Sequence, residues 1–395
     1  MHDVLVIGGG PGGLYSAALL ARQGHDVLLV EEHGHAGQPV HCTGVLAVEA
    51  FDEFDVPRDS ILNRLSTARF HAPSGLTISY TTPTTEALVI DRAVFDAGLY
   101  DRAVAAGVDV RLGTRITGLE MTDFGVVATS EQGVFAARTC VLACGANYAL
   151  HRRLGLGLPT VFLRSAQLEL KAERTGDVEV HFGHDVAPKG FAWVVPVDRD
   201  GEPYARVGLM GESDAATCFR RFVTRVAPRW GLAYGGDQAM APRQKMLPLA
   251  PLSKTYTDRV LAVGDAAGLV KATTGGGIYY SLVSADLAAR VLGDALRRDQ
   301  LGARTLREYE RQWRQRLGPE LDAQLSLREA AEAMEDEDID GMFDLARTNG
   351  VMPIIRQTAR FNRHRELISA LFKHAPARRL LLKAFVSRVA ALPAR

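Results

Sequence analysis

Gly8, Gly10 and Gly13 lie in the run Gly8-Gly9-Gly10-Pro11-Gly12-Gly13, which fits the spacing GxGxxG. In such a run the first glycine allows a tight turn, and the second lets the backbone approach a pyrophosphate. The third lets a helix pack closely on a strand. The flanking residues supply that setting. Asp3 to Ile7 is an apolar strand-like run, Pro11 to Gln23 reads as a helix of small residues, and Val27 to Val30 is a second strand ending at Glu31. Strand, glycine turn, helix, strand and acid make one βαβ unit within about 30 residues. The helix N-terminus offers N–H donors and positive potential to a phosphate. Glu31 offers acceptors to the adenosine ribose.

A second cluster lies far along the chain. Arg259 to Val263 reads as a buried strand running into Gly264-Asp265-Ala266-Ala267-Gly268. An aspartate there can accept hydrogen bonds from the ribityl hydroxyls of a flavin. Gly275-Gly276-Gly277 then opens a helix. Its N-terminus can face the flavin N1–C2=O edge, where negative charge accumulates on reduction. The first cluster identifies a dinucleotide, and the second makes it FAD.

Between the clusters the pattern changes. Residues 66–90 alternate weakly and carry turn residues, as antiparallel strands do. A helix is expected from about Arg92 to Ala106, and strands at Val108–Leu112 and Thr139–Ala143. Strands recur from Phe162 to Gly211, and most of the chain after Gly277 is helical. The expected fold is α/β with an inserted antiparallel β domain: a Rossmann-type FAD-binding domain, a β-rich substrate domain and C-terminal helices. The expected division is residues 1–50, 86–155 and 240–300 for the discontinuous FAD-binding domain. Residues 51–85 and 156–239 form the β-rich domain, and 301–395 the helical region.

Asp91-Arg92-Ala93-Val94-Phe95-Asp96, Gly264–Gly268 and Thr273-Thr274-Gly275-Gly276-Gly277-Ile278-Tyr279-Tyr280 resemble the geranylgeranyl reductase family, within the flavoprotein group that includes p-hydroxybenzoate hydroxylase. The resemblance covers roughly residues 1–300. Pro39-Val40-His41-Cys42-Thr43-Gly44 resembles that family's cysteine-containing loop beside the flavin. Phe191-Ala192-Trp193-Val194-Val195-Pro196 resembles its substrate-domain signature, with Phe191 and Val195 departing from the usual aromatic types. The resemblance implies that Gly8, Gly10, Gly12, Gly13, Glu31, Cys42, Thr43, Gly44, Arg92, Ile116, Gly264, Asp265, Gly276, Gly277 and Ile278 bind the cofactor. It implies that Phe191, Trp193, Pro196 and Tyr279 meet the substrate. Phe191, Trp193 and Val195 share one sheet face by alternation, where they can be ordinary core or the lining of a prenyl pocket.

The implied reaction is reduction of isolated C=C bonds in a geranylgeranyl-type chain. One alkene carbon receives hydride from reduced FAD and the other a proton, from Cys42, Tyr279 or water. Cys42 is the catalytic candidate, against the plainer reading of a small buried hydrophobe. Cys144 stands where many related flavoproteins carry an acid that contacts pyridine nucleotide. The electron donor, NAD(P)H or ferredoxin, is therefore left open. Two other functions fit the same motifs: an aromatic monooxygenase or halogenase, for which no matching catalytic lysine stands out, and a quinone-coupled electron-transfer flavoprotein.

Composition narrows the partners. Lys and Arg number 46, as do Asp and Glu, so nothing points to nucleic acid. The four cysteines lack metal-like spacing and suit a reducing compartment. His33, His35 and His41 lack supporting ligands, so no metal is expected. No run reaches the ~18–20 apolar residues that span a bilayer, and the N-terminus begins as a strand, not a secretion signal. A cytoplasmic protein is expected. From Val351 onward the chain has ten basic residues and one acid, Glu366. Leu381, Phe385, Val389 and Leu392 fall near one helical face, with Arg378, Lys383 and Arg388 around it. That face either packs on the core or docks the protein on the anionic inner face of a membrane.

Overall fold

The structure is a computed structural model that describes residues 1–390 apart from 213, 236–239 and 349, with side chains to 382. Its centre is a sheet of buried parallel strands in the order Val260–Ala262, Gly133–Leu142, His2–Ile7, Val27–Val30, Asp109–Arg111. Val4 to Ile7 and Val27 to Val30 are covered on both faces, which is why they read as unbroken apolar runs rather than alternating ones. The helix Pro11–Arg22 packs against the helices Arg92–Ala105 and Ile278–Arg297. Small residues on the first of these, Gly12, Gly13, Ala17 and Ala18, permit that close approach. Ile7 pairs with both Leu142 and Val30, and Leu142 with Ala262. That register brings both glycine clusters to the same edge of the sheet, outside the carboxyl ends of its strands, where ligands bind in open α/β folds.

The β-rich part is a seven-stranded sheet in the order Arg243–Pro248, Phe162–Lys171, Glu202–Gly211, Phe191–Arg199, Val178–His181, Thr67–His71, Thr77–Thr81. It is antiparallel except where Val178–His181 runs parallel to Thr67–His71. The helix Ala215–Trp230 covers one face, burying Phe219, Phe222 and Val226 with Leu168, Val207 and Leu209. Arg243–Pro248, within the span 240–300 expected for the dinucleotide domain, pairs with Phe162–Lys171 at the edge of this sheet. Ile61–Leu65 pairs with Ala87–Ile90 in a separate three-stranded sheet with Val45–Ala47.

The long helix Ala303–Glu332 is part of the dinucleotide core rather than an appendage. Tyr309 and Trp313 are fully buried there. Their polar ends are satisfied, by Tyr309 OH donating to Ala262 O at 2.7 Å and Trp313 Nε1 to Thr255 Oγ1 at 2.9 Å. Helices Asp336–Thr348, Val351–Thr358, Arg365–Lys373 and Ala375–Ala390 complete the chain. Leu381 is buried beside Ala330 and Met334, so that part of the expected apolar face packs on protein. The side chains of Lys383, Phe385, Arg388 and Val389, and all of Leu392, lie outside the described residues. No helix of the described residues is long and apolar enough to cross a membrane.

Candidate active site

A cavity of about 520 Å³ runs from Gly8–Gly10 past Cys42–Gly44 and Gly275–Ile278 to the face of the seven-stranded sheet. At its nucleotide end Gly8 takes φ +110°, and a Cβ there would lie 2.3 Å from Ala143 O. A Cβ on Gly13 would lie 1.9 Å from Gly8 O and one on Gly12 2.4 Å from Ser281 Oγ. These glycines serve packing, and Gly13 does not line the cavity. Gly10 differs: a Cβ there meets nothing within 4 Å. It caps the helix Pro11–Arg22 without a side-chain hydrogen bond. It leaves the N-terminus of that helix open to the cavity, the setting an anion requires.

Glu31 closes this end. Its Oε2 accepts from Gly9 N at 2.6 Å, and its Oε1 accepts from His33 N at 3.0 Å and lies 2.5 Å from His33 Nδ1. The carboxylate both fixes the glycine turn and presents acceptor capacity to the cavity. Glu31→Ala should therefore weaken FAD binding by roughly 10- to 100-fold, the equivalent of one charged hydrogen bond. Titration of apoprotein with FAD measures this, and an unchanged affinity would remove Glu31 from the site.

The Cys42–Gly44 loop is held from both sheets. Gly44 takes φ +68°, its N–H points to Cys42 Sγ at 3.3 Å, and its carbonyl accepts from Ile90 N at 2.8 Å. Thr43 Oγ1 donates to Gln167 Oε1 at 2.9 Å. Arg206, only 4% exposed, donates through Nη1 to Thr43 O (2.7 Å) and Ile90 O (2.9 Å), and through Nε to Glu169 Oε2 (2.7 Å). Arg199 joins Glu169 to Asp91, the N-cap of the helix that begins at Arg92. Arg206 and Glu169 thus tie the seven-stranded sheet to the Cys42–Gly44 loop, a role no sequence motif announced. Arg92 lines the cavity, but its guanidinium is paired with the buried Asp96, Nη2 to Oδ2 at 2.7 Å. Burial works against its charge; Asp96 and then Cys42 more than offset that, so it stays a cation. Ile116 lines the same cavity.

At the second cluster Asp265 lines the cavity while Gly264 lies beneath it, where a Cβ would be 2.5 Å from Ser281 Oγ. Lys245 Nζ donates to Asp265 Oδ2 at 2.8 Å. Asp265 raises the Lys245 amine above its ordinary value, with burial opposing. Gly276, Gly277 and Ile278 line the cavity where the helix Ile278–Arg297 starts, again without a side-chain cap. Cys144 also reaches the cavity; burial pushes its thiol up to about 12, and Sγ donates to Asn147 O.

The far end is apolar. Phe191 and Trp193 line it with ring centroids 5.7 Å apart, together with Val178, Val180, Met210 and Leu247. Gly208 makes room for the indole, since a Cβ there would lie 2.5 Å from Trp193 Cζ2. Tyr279 lines the wall with its OH donating to Glu53 Oε2 at 2.7 Å. Burial first, then Glu53, pushes that phenol up to about 12. Pro196 is corrected: strand alternation that aims Phe191, Trp193 and Val195 at the cavity turns Pro196 away. It lines a separate polar pocket, its carbonyl accepting from Asn63 Nδ2. Lys271, Phe361 and Asn362 also line the cavity and were not expected there. Outside it, among the described residues, His71, Glu179 and His181 form a ligand-like cluster, with Glu179 already paired to Arg229.

Comparison with known proteins decides the family. The model for the FAD binding domain matches residues 1–318. The digeranylgeranylglycerophospholipid reductase of Methanocaldococcus jannaschii is 31% identical over 358 residues, 87% of this chain and 90% of the relative. The chain belongs to the geranylgeranyl reductase family of FAD-dependent oxidoreductases. Digeranylgeranylglycerophospholipid reductase 2 of Methanothermobacter thermautotrophicus is 30% identical over 354 residues, 86% of this chain and 90% of that one. Among solved structures, a geranylgeranyl bacteriochlorophyll reductase-like protein from Thermoplasma acidophilum superposes with TM-score 0.81 at 22% identity, covering 97% of this chain and 99% of that one. The halogenase PltM, in complex with phloroglucinol and FAD, shares the fold more distantly: TM-score 0.68 and 16% identity over 99% and 93% of the two chains. FAD is the cofactor of this flavoprotein. The open approach at Gly10, the Glu31 carboxylate and the uncapped helix at Gly277 fit the group.

Proposed function

We propose that this flavoprotein saturates C=C bonds of a geranylgeranyl-type isoprenoid chain carried on a lipid. One observation carries the reading. The cavity is a single space that joins the FAD-binding motifs to the apolar face of Phe191, Trp193, Val178, Val180, Met210 and Leu247. An apolar wall continuous with the cofactor suits a hydrocarbon laid across the flavin. The relatives named as reductases of digeranylgeranyl lipids support it.

Reduced FAD supplies hydride to one alkene carbon. The chain's own residues do the rest. Phe191 and Trp193 hold the hydrocarbon and keep water away. Cys42 and Tyr279 stand on the wall as groups able to position the chain or carry a proton. An isolated alkene has no carbonyl to hold developing negative charge, so placement of the proton donor weighs as much as placement of the hydride. A lipid substrate reaches the enzyme from a membrane, and the basic residues after Val351 suit an anionic inner surface, each contributing about 1 kcal/mol there. Peripheral association of a cytoplasmic protein follows from that reading.

The test is made under argon with the flavin reduced and bleached. Adding a geranylgeranyl lipid should return the yellow colour, while the saturated phytanyl lipid should not. Equal rates with both lipids, or with quinone alone, would overturn the proposal.

A further inference from the structure

Among the described residues, Lys271 is the buried cavity-lining lysine that has no carboxylate partner. It is 4% exposed. Its backbone is locked to the glycine run, Lys271 N donating to Gly276 O at 3.1 Å and Gly275 N to Lys271 O at 2.8 Å. The side chain then runs along Gly276, where an added Cβ would lie 3.7 Å from Cδ and 4.0 Å from Nζ. The amine therefore sits beside the N-terminus of the helix Ile278–Arg297, which would face the pyrimidine edge of a flavin bound at Asp265 and Gly275–Gly277. Nζ donates to Phe361 O at 3.0 Å and to Asn362 Oδ1, both neutral, and stands 4.6 Å from the Phe361 ring centroid. An ammonium has three N–H bonds; these two neutral acceptors take two of them, and Lys271 lines the cavity.

The groups around it explain why no counter-charge arrives. Glu49, on the helix Val48–Glu53, accepts from Asn362 Nδ2 at 2.6 Å. Glu320, on the helix Ala303–Glu332, is occupied by the backbone N–H groups of His364 and Arg365. Burial, then Lys271, pushes His364 down to about 4, so it is neutral at ordinary pH. Tyr280 contributes only its ring, 6.0 Å away. Burial, opposed by Glu49 and Glu320, pushes the Lys271 amine down to about 7.

We propose that Lys271 is a redox-linked proton site: its amine binds a proton from solvent as two electrons enter the bound flavin and gives it up as they leave. The negative charge that reduction places at the pyrimidine edge favours the ammonium in this water-poor pocket. The balance is simple. A solvent proton adds to the Nζ lone pair, one N–H bond forms, the electrons come from the external reductant, and oxidation reverses it. In the alkene reduction proposed above, that N–H bond breaks as the second carbon takes the proton, while the first takes hydride and the π bond is lost. The proposal rests on FAD binding and not on the identity of the alkene.

The test uses FAD-loaded protein with no lipid present, so it stands or falls apart from the prenyl reading. Midpoint potentials are recorded by spectroelectrochemistry from about pH 6 to about pH 9. Above about pH 7 the unaltered protein should lose potential more steeply than Lys271→Met. The difference expected is one proton per two electrons, a tenfold change in the reduction equilibrium per pH unit, or about 30 mV. Lys271→Gln should show the same flattening. Parallel slopes in all three would overturn the proposal. Should neither variant hold FAD, proton uptake on reduction of the unaltered protein is counted near pH 8 with an indicator dye. It should exceed by about one per FAD the uptake that the reduced flavin's own absorption spectrum accounts for; equality would overturn the proposal.

Discussion

Gly10→Ala should give a folded protein that has lost most of its affinity for FAD, whereas Gly13→Ala should fail to reach the native fold. Both replace a hydrogen by a methyl in the same turn, and they differ in what the methyl meets. At Gly10 it enters open cavity, with nothing of the protein within 4 Å. The folded chain does not feel it, but a pyrophosphate approaching the first helical N–H groups does. Crowding of that kind costs about 1–3 kcal/mol, or about 5- to 150-fold in affinity. At Gly13 the methyl is placed 1.9 Å from Gly8 O, so the helix must leave its strand and the core of Leu5, Leu14 and Leu29 opens with it. Thermal unfolding of the apoproteins with FAD titration separates the two. A Gly10→Ala protein that binds FAD as the parent does would mean the phosphates lie elsewhere.

Arg206→Met is the second large effect. Arg206 is buried, and its guanidinium is shared by Glu169, Thr43 O and Ile90 O. Removing one partner of a buried ion pair leaves the other uncompensated, at about 3–5 kcal/mol. Here it also frees the Cys42–Gly44 loop. We expect a marked loss of thermal stability together with weaker FAD retention. Arg199→Met should cost less, because the Arg199 side chain is one-third exposed and pairs with Glu169 and Asp91 nearer the surface. Burial alone would raise the Glu169 carboxyl, but Arg199 and Arg206 hold it below its ordinary value. Its folded pKa is therefore below its unfolded one. The stability this provides is present above the unfolded carboxylate range and is lost as pH falls through the folded value. Arg206→Met should show a smaller acid-side loss, because Arg199 still holds Glu169. Equal stability of the Arg206 and Arg199 variants would show that the bridge between sheet and loop has no special weight.

These expectations show which parts of the molecule could be read from the chain. The nucleotide end was legible because its chemistry is local: turn, cap and close packing fall within Gly8 to Gly13, and Glu31 follows one helix later. The pairing of Arg243–Pro248 with the seven-stranded sheet is not legible in the chain. That segment is an edge strand with exposed Arg243 and Gln244, so it lacks the apolar run that marks a central one. Pro196 was drawn into the substrate set by its place in a motif, although the alternation used for Phe191 and Trp193 already turns it the other way. Arg206, Lys245 and Lys271 were missed for another reason. A charged residue in a strand or loop reads as solvated until the partner across the fold is known. Phe361 and Asn362 reach the cavity from some ninety positions beyond Lys271, and no spacing rule connects them.

We propose that the apolar end of the cavity holds a prenyl chain against reduced FAD. The most direct measurement is mass spectrometry of the lipid after a single anaerobic turnover. The predicted product has gained two hydrogen atoms at one double bond, one as hydride from the flavin and one as a proton from a solvent-exchangeable donor, with one double bond reduced per FAD oxidised. A lipid recovered unchanged while an added aromatic compound is oxygenated or halogenated in air would contradict the account.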